Sequence, residues 1–523
     1  MQILADDNAL LVKTRFPARI TETIEQSKVL KDHGDGRYEV AVRWGLEEAQ
    51  MLRKLRIKDV PSPIYRDYNW PRPIGFDPFE HQKSTASFLS LNQRAFCFNE
   101  QGTGKTASVI WAADYLMKMG IIKRVLVVCP LSIMQSAWQQ DLFKFAVHRK
   151  VEVAYGDADK RDRIVQSDAE FVIINYDGVP AVHSTITQNR LFDLVVIDEA
   201  NAYKNAQTKR WKLMDKMLAK DMWLWMLTGT PAAQSPVDAY GLGKLCVPDK
   251  TPRFFGDFQE AVMRKVSMYR WEPRPEADKI VFDMLQPAIR FNKRECLDLP
   301  PMTYTSREAP LTPQQRKYYK ELKNQMLMEA AGEEISIVNA ASKMSKLLQI
   351  SGGAVYSDSG AVIEFDVSER LRVVEEVIAE ASNKVLIFVP FRHTITLLHL
   401  HLLKAGIVTD CIHGDISVHE RTNIIRRFQN GTDVKALIIQ PQAAAHGVTL
   451  TAADTIIWYA PVTSAETYLQ ANARIDRPGQ KFPMTVVHIE GSPVEKRLYT
   501  MLRNNIDHHE KIVDLYKKEM AEA

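Results

Sequence analysis

The chain is short of cysteine. Its five thiols, Cys97, Cys129, Cys246, Cys296 and Cys411, are scattered, odd in number and without a CxxC pair. That pattern excludes a disulfide framework and a thiolate zinc site, and fits thiols kept reduced. Low-complexity stretches, dense Lys/Arg runs and apolar runs near the roughly 18 residues of a membrane span are missing too. With no charged-then-apolar leader at its start, the protein is expected in the cytoplasm of a bacterium or an infected host cell, with a nucleus left open. Excess charge is also lacking. A formal net charge of +4 permits a nucleic-acid partner but requires any such surface to be local.

What is present describes a soluble globular chain, 46% hydrophobic and 25% charged. Its 523 residues exceed one core and predict about three domains. Near the start, 37–44 (RYEVAVRW) alternates like a half-buried strand and 45–55 (GLEEAQMLRKL) has helical spacing, which predicts a small α+β unit. Residues 60–78 hold Pro61, Pro63, Pro71, Pro73 and Pro78 with aromatics between them, and read as an extended connector.

Two α/β patterns follow. Short apolar runs at 95–98, 124–129, 171–175, 191–197 and 222–227 alternate with helical segments, and the pattern recurs at 384–389, 407–412, 436–439, 455–458 and 484–489. Continuous apolar strands spaced by helices predict parallel sheets buried on both faces. The stretch between, 246–375, is expected to be mostly helical and polar. The domains predicted are an accessory unit over 1–75, a lobe over 76–300 with a helical insertion near 246–300, and a second lobe over 301–523 with a helical protrusion and a C-terminal helix.

Three stretches carry chemistry. Residues 99–106, NEQGTGKT, lie between an apolar run and a helical segment. A glycine-rich turn there aims backbone N–H groups and the positive end of a helix dipole into one space, a phosphate cradle. Gly102, Thr103 and Gly104 would form it, Lys105 would reach the β- and γ-phosphates, and the Thr106 hydroxyl would ligand Mg²⁺. Asn99 stands where the full P-loop pattern has glycine. In 191–201, LFDLVVIDEAN, an apolar strand ends in two carboxylates at the sheet edge where ligands bind. There Asp198 would hold the metal through water and Glu199 would orient or deprotonate the attacking water. In 470–480, QANARIDRPGQ, a helix would place Gln470, Arg474 and Arg477 on one face, and Pro478 with Gly479 would stop it. A site closed between two lobes needs cations from the far side, as arginine fingers provide.

In order and in kind these stretches resemble the superfamily-two helicase-type ATPases, specifically their Swi/Snf branch, over about 76–510. The resemblance implies two tandem RecA-like lobes with parallel sheets, helical insertions between them, and ATP with Mg²⁺ as cofactors. His81-Gln82 is similar to the glutamine motif, giving Gln82 to adenine. The family also lacks the first P-loop glycine. VLVVCPLSIMQSAWQQDLFKF at 125–145 resembles motif Ia, with Pro130 and Trp138, and VIINYDGV at 172–179 motif Ib. DEAN at 198–201 resembles motif II, followed by Lys204, and LTGTPAAQSPVDAYGL at 227–242 resembles motif III, with Thr228 and Thr230. IRFNKRECLDLPP at 289–301 and APLTPQQRKYY at 309–319 resemble the joint between lobes in this branch. Arg392 falls in motif IV, Gly414 and Arg421 in HGDISVHER at 413–421, Gly447 in motif V, and QANARIDRPGQ in motif VI. The resemblance gives Pro130, Trp138, Lys204, Thr228, Thr230, Arg392, Gly414 and Arg421 to DNA binding or coupling, and Gly447 to the nucleotide. Asn201 replaces the usual His or Gln of motif II, and Ala445-His446 precede Gly447 where glycines are preferred.

RYEVAVRW and its following helix resemble the HepA-related domain that precedes annealing members of the branch, which implies branched DNA as partner; a lobe-stabilising or DNA-gripping appendage is the alternative. The expectation is a monomeric, DNA-dependent ATPase translocating on double-stranded DNA. It would remodel or anneal branched DNA or displace bound proteins. Alternatives are a strand-separating DNA or RNA helicase, a chromatin remodeller and, from another class, a nucleotide-gated clamp.

Overall fold

The computed structural model describes residues 1–4, 6–229, 231–232, 235–267, 271–332, 337–356, 362–444 and 448–503. The chain divides into two compact units, one running Met1–Cys296 and the other starting at Leu297.

The first unit opens with strands β1 (Gln2–Leu4), β2 (Ala9–Thr14), β3 (Ser27–Asp32) and β4 (Tyr38–Arg43), an antiparallel sheet of order β1-β2-β4-β3. The helix Leu46–Lys54 follows, burying Leu46, Ala49 and Leu52 along one stripe. Sequence patterning finds β4 and this helix but not β1–β3. The first is three residues long, and β3 leaves five of its six positions exposed, so neither offers a core-facing alternation.

Next come β5 (Arg94–Cys97), β6 (Val125–Cys129), β7 (Val151–Ala154), β8 (Phe171–Asn175), β9 (Leu194–Asp198), β10 (Trp223–Leu227), the hairpin β11 (Met263–Lys265) with β12 (Trp271–Pro273), and β13 (Ala288–Ile289). All but the hairpin join a parallel sheet of order β13-β5-β10-β9-β6-β8-β7. β6, β8, β9 and β10 are buried at every residue, because helices cover both faces. Alternation within β5 sends Ala95 and Cys97 to one hydrophobic core and Phe96 to the other.

The proline-rich stretch is not the extended connector its composition suggests. Tyr68 and Trp70 are buried, and the stretch holds a helical turn, Ile64–Asp67. Trp70 meets Trp111 edge to face at 5.6 Å, and the Trp111 indole donates to the Pro71 carbonyl at 2.8 Å. The Tyr68 hydroxyl donates to the buried Asp114 carboxylate at 2.6 Å. Trp111 and Asp114 lie on the helix Lys105–Lys118, so aromatic packing fastens the stretch to it. One continuous core runs from Leu10 and Val40 through Tyr68 and Trp70 to Trp111.

The second unit holds β14 (Met302–Glu308), the hairpin β15 (Ala354–Tyr356) with β16 (Val362–Glu364), β17 (Lys384–Phe388), β18 (Thr409–Ile412), β19 (Ala436–Ile439), β20 (Ala453–Trp458) and β21 (Met484–Glu490). Its parallel sheet has the order β14-β21-β20-β17-β19-β18. All ten apolar runs expected as strands are found, five in each large sheet. The stretch 246–375 is less purely helical than expected, for it contributes β13 to one sheet and β14 to the other. β14 escapes the pattern because it is a largely exposed edge strand.

Candidate nucleotide site

The first unit places the phosphate cradle between β5 and the helix Lys105–Lys118. Gly102 and Gly104 have φ of 84° and 78°, the left-handed region that glycine enters without steric cost. A Cβ on Gly104 would stand 2.0 Å from the Gln82 amide nitrogen. Lys105 curls back over the loop, its Nζ donating to the Asn99 and Glu100 carbonyls at 2.8 and 3.2 Å. Thr103 is buried with its hydroxyl on the Glu100 carbonyl, and Thr106 sits half-buried in the first helical turn.

Asn99 works as a fastening. Its Nδ2 donates to the Thr85 hydroxyl at 2.8 Å and its Oδ1 accepts from the Phe291 N–H at 3.0 Å. A glycine there would lose both bonds. From the helix Glu80–Leu91, His81 Nε2 donates to the Thr103 carbonyl at 2.8 Å and Gln82 Nε2 to the same oxygen at 3.4 Å. Gln82 is therefore engaged with the loop itself.

β9 ends at Asp198, opposite the cradle. The Trp138 indole donates to Asp198 Oδ2 at 2.9 Å and the Glu199 N–H to Oδ1 at 2.9 Å. Burial pushes the Asp198 carboxyl above its ordinary range, opposed first by the charge of Lys105 and then by these two donors. Lys105 and Asp198 thus share one electrostatic site. Glu199 has φ of 49°, in the left-handed region, and the Tyr176 hydroxyl donates to the carbonyls of both Asp198 and Glu199. Arg290, almost fully buried, donates to the Phe98 and Gly229 carbonyls at 3.2 and 3.3 Å and pairs with Glu100 at 3.6 Å.

The remaining expected residues of this unit lie around the sheet edge. Pro130 is buried at the end of β6, and the Thr228 N–H donates to the Cys97 carbonyl at 3.1 Å. Lys204 pairs with Asp238 at 3.2 Å. Trp138 is fully buried, so its indole meets the Asp198 carboxylate and no solvent-borne partner. Thr230 falls outside the described residues.

In the second unit the expectation of one helical face for Gln470, Arg474 and Arg477 fails. The helix Ala465–Asn472 ends before both arginines. Arg474 folds back to donate from Nε to the Gln470 carbonyl at 2.8 Å and from Nη1 to Val448 O at 3.4 Å. Arg477 donates to the Ala473 carbonyl at 3.1 Å and to the Thr449 hydroxyl at 3.0 Å. Cations complement the carbonyl end of a helix, and here they terminate it sooner than Pro478 alone would require. Gln470 and Arg474 are buried, while Arg477 is half-buried. Arg392 opens the helix Arg392–Lys404 and contacts Asp415 at 3.3 Å. Gly414 donates its N–H to Gln440 Oε1 at 3.2 Å. The half-buried Arg421 has its proton affinity lowered by burial, and His413 is held toward the neutral form first by its own burial and then by the charge of Arg392, with Arg421 adding least. Gly447 falls outside the described residues.

Sequence reasoning missed four residues of this site in the roles the geometry gives them: Asn99, Trp138, Tyr176 and Arg290. Only Asn99 left a signal, as a departure from the glycine pattern. The other three are read from which buried oxygen each donor meets.

Comparison with known proteins accords with this geometry. The model of the SNF2-related domain matches residues 41–353, and that of the Helicase conserved C-terminal domain matches 369–479. An uncharacterized ATP-dependent helicase of Mycoplasma pneumoniae is 26% identical over 75% of this chain and 37% of its own length. The chromodomain-helicase-DNA-binding protein 1-like of Mus musculus is 25% identical over 77% and 46%. Putative protein p41 of Acyrthosiphon pisum secondary endosymbiont phage 1 is 23% identical over 79% of this chain and 93% of its own. The chain therefore spans less than half the length of the first two relatives. Built around a P-loop and an Asp-Glu strand end, and matched by the SNF2-related model over more than half its residues, the chain belongs to the SNF2-related family.

Proposed function

We propose that the chain is a DNA-dependent ATPase that translocates on double-stranded DNA, closing its two units on ATP and opening them after hydrolysis. The observation that carries this reading is Lys105 held over the Gly102–Gly104 turn within the field of Asp198. A lysine parked on two backbone carbonyls beside a desolvated carboxylate is poised to exchange those carbonyls for phosphate oxygens.

The residues fit a magnesium nucleotide. Thr106 and Asp198 would hold Mg²⁺, which when bound polarises the phosphoryl oxygens. Asp198 is oriented for this by the Trp138 indole. Glu199, displaced into the left-handed region and braced by Tyr176, orients or deprotonates the attacking water. Arg474 and Arg477, with Gln470 beside them, leave their present carbonyl partners to meet developing phosphate charge, a contribution worth about 10³ to 10⁵ in rate for such arginines. Gln82 reads the adenine edge, and Gly447 belongs to the same nucleotide site.

DNA contacts are assigned to Arg392, Gly414 and Arg421 in the second unit and to the region of Pro130, Lys204, Thr228 and Thr230 in the first. These meet phosphate and sugar, which gives position without base specificity and a steep dependence on salt. The accessory sheet at the N-terminus favours branched DNA, so that annealing, remodelling or displacement of bound proteins is the output. ATP hydrolysis measured with blunt duplex, fork, four-way junction, single strand and RNA tests the reading. Stimulation by duplex and branched DNA is expected, with loss on Lys105→Ala. Turnover indifferent to duplex, or intact in K105A, overturns it.

A further inference from the structure

A cavity of about 330 Å³ opens on the first unit between the helix Leu46–Lys54, the turn that follows it and the helix Glu80–Leu91, lined on that last helix by Ser84, Ser87, Phe88 and Leu91 and not by the His81 and Gln82 that meet the P-loop. Its walls are fixed. Gln50 Nε2 donates to the Ser90 carbonyl at 2.9 Å, joining the two helices, and the Ser62 and Ser90 hydroxyls bond at 2.7 Å, tying the intervening segment to the second.

The lining is of two chemical kinds. Val60, Phe88 and Leu91 supply an apolar wall, with the Phe88 ring half-buried. The Arg53 side chain and the hydroxyl-bearing Tyr65, Ser84 and Ser87 also line it, the two serines on the same face of the helix Glu80–Leu91 as Phe88 and Leu91. Tyr65 and Ser84 bond each other at 2.9 Å, which leaves each oxygen further hydrogen-bonding capacity.

Arg53 is the informative residue. Burial lowers its proton affinity, and the charge of Asp59, the one carboxylate lining the cavity, raises it. Its fork of five N–H donors makes no hydrogen bond and no ion pair among the described residues. A partly desolvated guanidinium without a fixed partner is a site for an anion with two or more acceptor oxygens. The surroundings reinforce this, since Lys54, Arg56 and Lys58 are exposed on the same turn and Arg56 acts electrostatically on Lys250.

We propose that this cavity binds a phosphorylated nucleoside, free or at the 5′ end of a DNA strand, with the phosphate on Arg53 and the base against Phe88. The guanidinium takes phosphate oxygens in bidentate fashion, and the Ser84 and Tyr65 hydroxyls donate to those that remain. The base lies on the aromatic wall, where stacking is tolerant of its identity. Asp59, exposed at the rim, accepts from a sugar hydroxyl. A cavity of this volume lies in the usual range for small-molecule sites.

Equilibrium dialysis with labelled uridine 5′-monophosphate, and electrophoretic binding of a short duplex with and without a 5′-phosphate, test the assignment on the full chain. Saturable one-to-one binding of the monophosphate, or a gain in duplex affinity that depends on the 5′-phosphate, is expected, and that signal is at least tenfold weaker in Arg53→Ala, weakened less in Arg53→Lys, and unchanged in Lys105→Ala. Binding of the monophosphate alone marks a free nucleotide as the source. A preference for the phosphorylated duplex that vanishes in R53A marks a DNA end. Absence of both monophosphate binding and any 5′-phosphate preference, either of these signals left intact by R53A and Ser84→Ala, or either lost in K105A overturns the proposal. Because K105A removes the ATP site and R53A this one, failure of either assignment leaves the other standing.

Discussion

The indole nitrogen of Trp138 donates to the Asp198 carboxylate at 2.9 Å, with both residues buried. A helix distant in sequence from β9 therefore sets the direction in which that carboxylate presents its oxygens. Replacing Trp138 with Phe keeps most of the ring packing and removes the donor. Partners that orient a metal-binding carboxylate are worth about 10- to 100-fold in metal affinity. Trp138→Phe is expected to raise the Mg²⁺ concentration needed for half-maximal ATP hydrolysis by about that factor, measured by titrating Mg²⁺ at saturating ATP. An unchanged Mg²⁺ requirement would show that Asp198 is held by other means.

Gly104 carries a second prediction. Its φ of 78° costs a residue with a Cβ about 1–2 kcal/mol, and the added carbon would stand 2.0 Å from Gln82 Nε2. Gly104→Ala must therefore strain the turn and push Gln82 from the Thr103 carbonyl. Nucleotide binding, followed with a fluorescent ATP analogue, is expected to fall by at least tenfold, with a small drop in melting temperature. Pairing it with Gln82→Ala removes the clash but not the backbone strain, so the melting temperature, which does not depend on the adenine contact, separates the two causes when the double variant is compared with Gln82→Ala alone.

The second unit contains a buried ion pair, Arg370 with Glu495, at 2.8 Å and 3% and 0% side-chain exposure. Glu495 also accepts from the Gly491 and Ser492 N–H groups, and Arg370 donates to the Tyr459 carbonyl. Removing one charge leaves the other desolvated and uncompensated, a loss of about 3–5 kcal/mol. Glu495→Gln is expected to lower the urea midpoint of the unit that contains it. Arg370→Met combined with Glu495→Leu is expected to recover only part of that loss, since no buried charge then remains but the Gly491 and Ser492 N–H groups and the Tyr459 carbonyl lose these partners.

Both large sheets are legible in the chain because a parallel strand covered on both faces must be apolar at every position, as β6, β8, β9 and β10 are. β3 and β14 obey no such rule, since most of their residues meet solvent and their pairing is set by backbone bonds alone. Local spacing also found the cradle and the Asp-Glu strand end, whose chemistry depends on neighbours in sequence. It placed Arg474 and Arg477 on a helix that stops at Asn472, because apolar periodicity encodes neither the capping of local carbonyls by their side chains nor their tertiary contacts with Val448 and Thr449. Tyr68 and Trp70 show the same limit, for proline content describes the backbone's freedom but not the aromatic face that packs on Trp111.

His488 yields the pH prediction. It is fully buried, and Arg503 Nη2 lies 2.8 Å from its Nδ1 while the Tyr468 oxygen lies 2.7 Å from Nε2. A guanidinium can only donate, so Nδ1 carries the lone pair and Nε2–H donates to Tyr468. The ring is thus held neutral, and burial with the Arg503 charge lowers its pKa to about 3. The unfolded chain, with an ordinary histidine near pKa 6.5, binds the proton across the window between those values. There the unfolded state holds more protons, so stability is full above about pH 6.5 and declines as pH falls, by up to about 1.4 kcal/mol per unit from this group. Melting temperatures of the wild type are therefore expected to drop from pH 7 to pH 5, and those of His488→Gln to drop less steeply, because glutamine takes up no proton on unfolding. Parallel slopes for the two proteins would mean that other groups carry the acid sensitivity and that the Arg503 and Tyr468 contacts do not hold this ring neutral.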